Sequence, residues 1–165
     1  MKVEHHIAFS AAVSGSLYAA GGSWQMAVAA FVTGFAIDCD HCGDYLVEFG
    51  VRSNWRNFFR SFYEGYYTRI YIPFHSWELL FLLGVVAYLS EWNQWVVGVL
   101  LGAVQHMIVD QFSNGAAGLG YSFLWRWFGG FEPNRSFPYR RTPFVGPRGA
   151  AVKIPVNPKM NDDVP

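Results

Sequence analysis

The polar positions of this chain fall in clumps separated by long apolar stretches. No Asp, Glu, Lys or Arg occurs from Ile7 to Ile37, or from Trp92 to Val109. Runs of that length make membrane helices serious candidates. Gly21-Gly22-Ser23 breaks the first run with a turn signal, which predicts helices over His5–Ala20 and Trp24–Asp38. Pro73 marks a boundary, because the residue before a proline resists helix. Beyond it the pattern predicts helices over His75–Leu89 and Gln94–Phe112, turned by Ser90–Asn93 and stopped by Ser113-Asn114-Gly115. The expected fold is all-α, a bundle of two antiparallel transmembrane helical hairpins. Ala8, Ser10, Ala11, Ala12, Ser14, Gly15 and Ser16 line the first helix, and such small residues let helices approach closely. Helices of about 15 to 19 residues reach about 22 to 28 Å, short against a hydrocarbon core of about 30 Å. They suit a thin or locally thinned bilayer, or the core of a soluble helical enzyme; the charge-free runs favour the membrane.

Between the hairpins, residues 51–74 mix Arg52, Arg56, Arg60 and Arg69 with Trp, Phe and Tyr. Arg52, Arg56 and Arg60 recur every four residues and share one helical face. A basic face beside aromatic residues suits the membrane–water interface, or an ordinary surface helix with a solvated basic side. Ala116–Gly130 reads as a short interfacial or re-entrant helix. Prolines recur from Pro133 onward, so residues 1–130 read as a helical membrane domain and 131–165 as an extended or disordered tail.

Composition sharpens this picture. Charged residues are 15% and aromatic residues 19%, against about 25% charged in soluble domains. The net charge of zero gives no nucleic-acid signal. Cys39 and Cys42 form a CxxC pair without a second pair, which reads as mainly structural. No cleavable leader is expected from Met-Lys-Val-Glu-His-His.

The chemistry gathers at one end. In antiparallel hairpins, His5 and His6 at the start of the first helix lie beside Asp38, Asp40, His41 and Asp44 at the end of the second. His75 opens the third helix, and His106 and Asp110 lie near the end of the fourth. His106 and Asp110 are four apart and His75 and Glu78 three apart, so each pair shares a face. Imidazole and carboxylate groups on facing helices are how bundles hold metals. The expected metal set is His6, Asp38, Asp40, His75, His106 and Asp110. The cofactor would be a divalent ion, zinc first, with manganese or iron as alternatives. Singly, each has a plainer reading: Asp38 and Asp40 as solvated loop acids, Glu78 as a first-turn acid complementing the helix dipole.

The order His6-Ile-Ala-Phe, Asp38-Cys-Asp-His41, Phe74-His75-Ser76 and His106-Met-Ile-Val-Asp110 resembles the YdjM-like family of membrane-bound metal-dependent hydrolases. The resemblance covers roughly the first 115 residues. This chain departs from it at Ile37, where the family has proline, and at Ile70-Tyr71-Ile72, where it has His-Arg-Gly. The resemblance implies metal-assisted hydrolysis of an ester or phosphoester, lipid-like or small. Glu78 or Asp44 would serve as general base, and Arg52, Arg56 and Arg60 would receive an anionic group. The partners expected are membrane lipid and that substrate. Every Lys and Arg falls on the site side, so the positive-inside rule places the site and tail in the cytoplasm of a multi-pass protein of the cell membrane. The competing readings are a non-enzymatic membrane protein that binds or transports a metal, and a partner-binding membrane protein.

Overall fold

The computed structural model describes residues 3–51 and 57–146. Arg52, Arg56 and residues 147–165 lie outside that description. The described residues are helical with no strand. Helix α1 spans Val3–Ala19 and α2 spans Trp24–Ala36, the latter capped by Ser23 Oγ accepting from Met26 N at 3.2 Å. A 3-10 turn, Ile37–Cys39, leads into α3, Asp40–Phe49. Helix α4 is Phe58–Glu64. Helix α5 is Trp77–Leu89 and α6 is Gln94–Ser113, with Ser76 and Asn93 as N-caps. Short helices α7, Phe123–Phe128, and α8, Pro133–Ser136, follow. Each side-chain cap satisfies one backbone N–H that the first helical turn leaves free.

Helix α2 packs against both α1 and α6, and α5 packs against α6. Glycine sets the α2–α6 distance. A Cβ on Gly102 would lie 2.5 Å from the Ala30 carbonyl oxygen, and one on Gly98 would strike the Met26 carbonyl. On the opposite side of the seam Gly34 leaves room for Ser10 and Gln105, whose side chains bond at 3.2 Å. Small residues thus bring three backbones together without large side chains between them.

Among the described residues, one helix, Gln94–Ser113, is long and apolar enough to cross a membrane; Trp77–Leu89 is apolar but shorter. Two differences from the sequence reading matter for the site. The chain stays helical after Asp38, because Tyr45 and Phe49 give α3 an apolar face to pack. Gly50 then ends it at φ +78°. The reading of Arg52, Arg56 and Arg60 on one helical face falls mostly on residues outside the description; α4 is short, and residues 66–74 form no helix.

A second core lies over the site end. Tyr45, Tyr67, Ile70, Ile72, Met107, Tyr121, Phe137 and Phe144 are all buried there. Most come from non-helical segments, which backbone hydrogen bonds tie together: Ile70 N to Phe131 O at 3.1 Å, Trp77 N to Tyr121 O at 3.2 Å, and Ala117 N to Ser136 O at 2.8 Å. The first part of the proline-bearing segment, through Phe144, therefore belongs to this cap.

Candidate metal centre

The start of α1, the turn after α2, the loop before α5 and the last turns of α6 meet at one buried point. His75 Nε2 and His106 Nε2 are 2.9 Å apart. Asp38 Oδ1 lies 3.3 Å from the first and 3.5 Å from the second. Asp110 Oδ2 lies 3.5 Å and 3.4 Å from the same two nitrogens. His6 Nε2 is 3.1 Å from Asp110 Oδ1, and its ring stacks on His106 at 4.0 Å. His6, His75, His106 and Asp110 are almost fully buried, and Asp38 is partly open.

The outer ring nitrogens decide what this cluster can hold. His75 Nδ1 donates to Asp40 Oδ2 at 3.0 Å, and His106 Nδ1 donates to the Gly34 carbonyl at 2.8 Å. A carboxylate and a carbonyl only accept, so both Nδ1 atoms carry hydrogen. In neutral imidazoles both Nε2 atoms then present lone pairs, towards each other and towards two carboxylates. Such an arrangement requires a cation between them, a proton or a metal. Tetrahedral bonds of about 2.0–2.2 Å to zinc give ligand–ligand distances of about 3.3–3.6 Å, and the four separations of Asp38 and Asp110 from His75 and His106 lie there. The Asp40 and Gly34 contacts are the outer hydrogen bonds that fix ligand histidines. The cluster can therefore hold a metal ion. Two donor groups overlap, His6–Asp38–His106–Asp110 and Asp38–His41–His75, with Asp38 in both.

Electrostatics agree with this arrangement. Burial opposes the charge of Asp38, yet His41, His75 and His106 hold its carboxyl far below the usual range. Burial likewise opposes an imidazolium at His75, but Asp40, Asp38 and Asp110 outweigh it and raise its pKa to about 10 in the metal-free protein.

Of the expected ligands, the structure brings together His6, Asp38, His75, His106 and Asp110. Asp40 sits behind His75, its Oδ2 also accepting from Phe74 N at 2.9 Å. The two expected bases lie elsewhere. Asp44 accepts from Tyr71 N and Ile72 N at 3.0 and 3.3 Å, and burial raises its pKa to about 6. Glu78 accepts from Ser122 Oγ and from Phe123 N at 2.9 Å, so it secures the start of α7. Arg60 forms an exposed pair with Glu64 at 2.9 Å, one turn along α4.

Glu78 is nonetheless linked to the His75 backbone through α7. That helix carries Arg126, buried to 1%, whose Nη2 donates to the carbonyls of Ile72 and His75 at 3.1 and 2.9 Å. Ile72 adopts φ +32°, which is costly for a β-branched residue. Asp44 holds its N–H and Arg126 its carbonyl, and together they fix the turn that delivers His75. The sequence reading left Arg126 and His41 out of the site. His41 was legible, three residues after Asp38; nothing local marks Arg126. No family model matches the chain, and neither a curated protein nor a solved structure matches it.

Proposed function

We propose that the protein is a membrane-embedded, metal-dependent hydrolase of an ester or phosphoester, of the kind the YdjM-like resemblance implies. The observation that carries this reading is the buried meeting of lone pairs from His75, His106, Asp38 and Asp110. A divalent ion bound there, zinc first, would supply Lewis acidity and would make water a stronger acid. The chain's own groups do the rest. His6, Asp38, His75, His106 and Asp110 hold the ion, while Asp40 and the Gly34 carbonyl orient two of the rings. His41, 3.5 Å from Asp38 Oδ1 and on the wall of the adjoining cavity, is the group placed to accept a proton from the attacking water. The water oxygen joins the acyl carbon or phosphorus, the ester C–O or P–O bond breaks, and the leaving alcohol takes up a proton.

The outer surface of the helices supports the membrane. Helix α5 buries only Ala87, while Phe81, Leu82 and Leu89 are 73%, 58% and 73% exposed. Val28 and Val32 of α2 and Phe9 of α1 are exposed as well. A water-facing helix keeps a polar outer stripe, and a continuous apolar belt marks contact with lipid or a partner. Lipid is the reading adopted here, with α1, α2, α5 and α6 as the two hairpins. Neither far turn, Ala20–Ser23 or Ser90–Asn93, carries a Lys or Arg, which favours a cytoplasmic site end. A cysteine in place of Ala20, exposed in the far turn, should react with an impermeant thiol reagent added to intact cells; protection there reverses the orientation.

The decisive measurement is elemental analysis of purified protein, wild type beside His106→Ala. Wild type should carry at least one divalent ion per chain and hydrolyse phosphoesters; His106→Ala should lose both. A wild type that takes up no metal after reconstitution overturns the reading.

A further inference from the structure

A cavity of about 720 Å³ opens beside the metal centre. One wall is His41 and Tyr121, both in ring contact with His75. The others are largely aromatic and aliphatic, from Phe62, Ile70, Phe112 and Phe137. Its outer side is closed by residues 139–145, a strap tied at both ends. Tyr139 N donates to Gly115 O at 3.1 Å, and Val145 N donates to Gly65 O at 2.9 Å. Gly115, at φ +68°, is needed for this approach, since a Cβ there would strike the Tyr139 and Arg140 backbone. Arg140 fastens the middle, its Nη2 donating to the carbonyls of Phe62 and Tyr63 at 2.6 and 3.2 Å while the guanidinium lies over the Phe144 ring.

Among the described residues the lining includes no Asp or Glu, and its permanent charges are Arg140 and Arg141. Arg140 is committed to the α4 carbonyls. Arg141 is exposed, and among the described residues no carboxylate pairs with it. An exposed cation, apolar walls, and the His41 and Tyr121 rings that separate the cavity from His75 define a ligand with an anionic head and an apolar body. We infer that this cavity is the substrate site, that it takes an amphiphilic phosphate ester, and that Arg141 and the strap determine that specificity. The inference rests on the hydrolase reading for its use in catalysis but not for binding.

The test is calorimetric titration of full-length, metal-loaded protein in nanodiscs with inorganic phosphate, hexyl phosphate and dihexanoyl phosphatidate, each below its micellar concentration. Empty nanodiscs give the blank, and metal is assayed on the same samples. At least one of the two esters should bind about tenfold or more tighter than inorganic phosphate, which burial of two methylenes suffices to give. Preference for phosphatidate identifies a lipid source, and preference for hexyl phosphate a soluble one. Arg141→Gln should weaken the preferred ester about five- to tenfold, as expected for losing a charge-assisted contact, with metal content unchanged. Arg60→Gln should leave binding unchanged. Equal binding of phosphate and both esters, or an Arg141→Gln variant that binds like wild type, overturns the inference even if metal and hydrolysis persist. Preferential ester binding in protein that holds no metal and hydrolyses nothing overturns the hydrolase reading and leaves this one standing.

Discussion

The seam between α1, α2 and α6 is filled with glycine, alanine and serine, whereas the cap over the histidines is filled with tyrosine and phenylalanine. At the seam, backbone meets backbone: Gly98 and Gly102 face Met26, Ala29 and Ala30, and its side-chain hydrogen bonds include Ser10 to Gln105, Ser23 to Gln94 and His106 to the Gly34 carbonyl. In the cap, large rings fill the spaces between irregular segments, with Tyr121 against Phe137 and Tyr45 against Phe58. The contrast shows how labour is divided. Regular helices with small interfaces give a frame that needs little side-chain specificity. The cap supplies the dense, fixed surroundings that hold ligand groups in one arrangement.

The comparison can be broken first at the cap. Asp40→Asn removes the carboxylate behind His75 without touching the seam. It should weaken metal affinity about 10- to 100-fold, measured by competition with a chromophoric chelator, while helical content stays the same. In wild type, His75 of the metal-free protein stays protonated up to about 10, so binding displaces a proton. Affinity should then fall about tenfold per pH unit as pH is lowered below that value. An affinity independent of pH would mean that His75 does not bind the ion.

The seam is sharpened by a pair of glycine substitutions. Gly102→Ala forces a methyl against the Ala30 carbonyl and should destabilise the fold by about 1–3 kcal/mol. Gly84→Ala, on α5 where a Cβ meets nothing within 4 Å, should stabilise it by about 0.5–1 kcal/mol through helix propensity. Thermal unfolding in the same detergent compares them. Equal effects at the two positions would show that the α2–α6 contact is not set by glycine.

The frame was legible because its signals are local. Ser23, Ser76 and Asn93 start helices where the pattern breaks, and the observed ends of α2, α5 and α6 fall within about two residues of those expected, the usual spread of helix ends. The gathering of histidines at one end followed from antiparallel hairpins alone. Helix α3 was missed because Gly43 and three acids look like loop until Tyr45 and Phe49 find their partners. Glu78 was read as a candidate base because it shares a face with His75; the acceptor role it has instead depends on α7, more than forty residues away.

By itself, then, the sequence determined α1, α2, α5 and α6, their hairpin order and the end at which imidazoles and carboxylates accumulate, because hydrophobic periodicity, caps and turn residues act over a few positions. Only the tertiary structure decided which of those groups face one another. His75 reaches His106 through a turn held by Asp44 and Arg126, and the strap from Tyr139 to Val145 closes the cavity by hydrogen bonds to Gly115 and Gly65. Those contacts join residues tens of positions apart, and they exist only once the cap has packed.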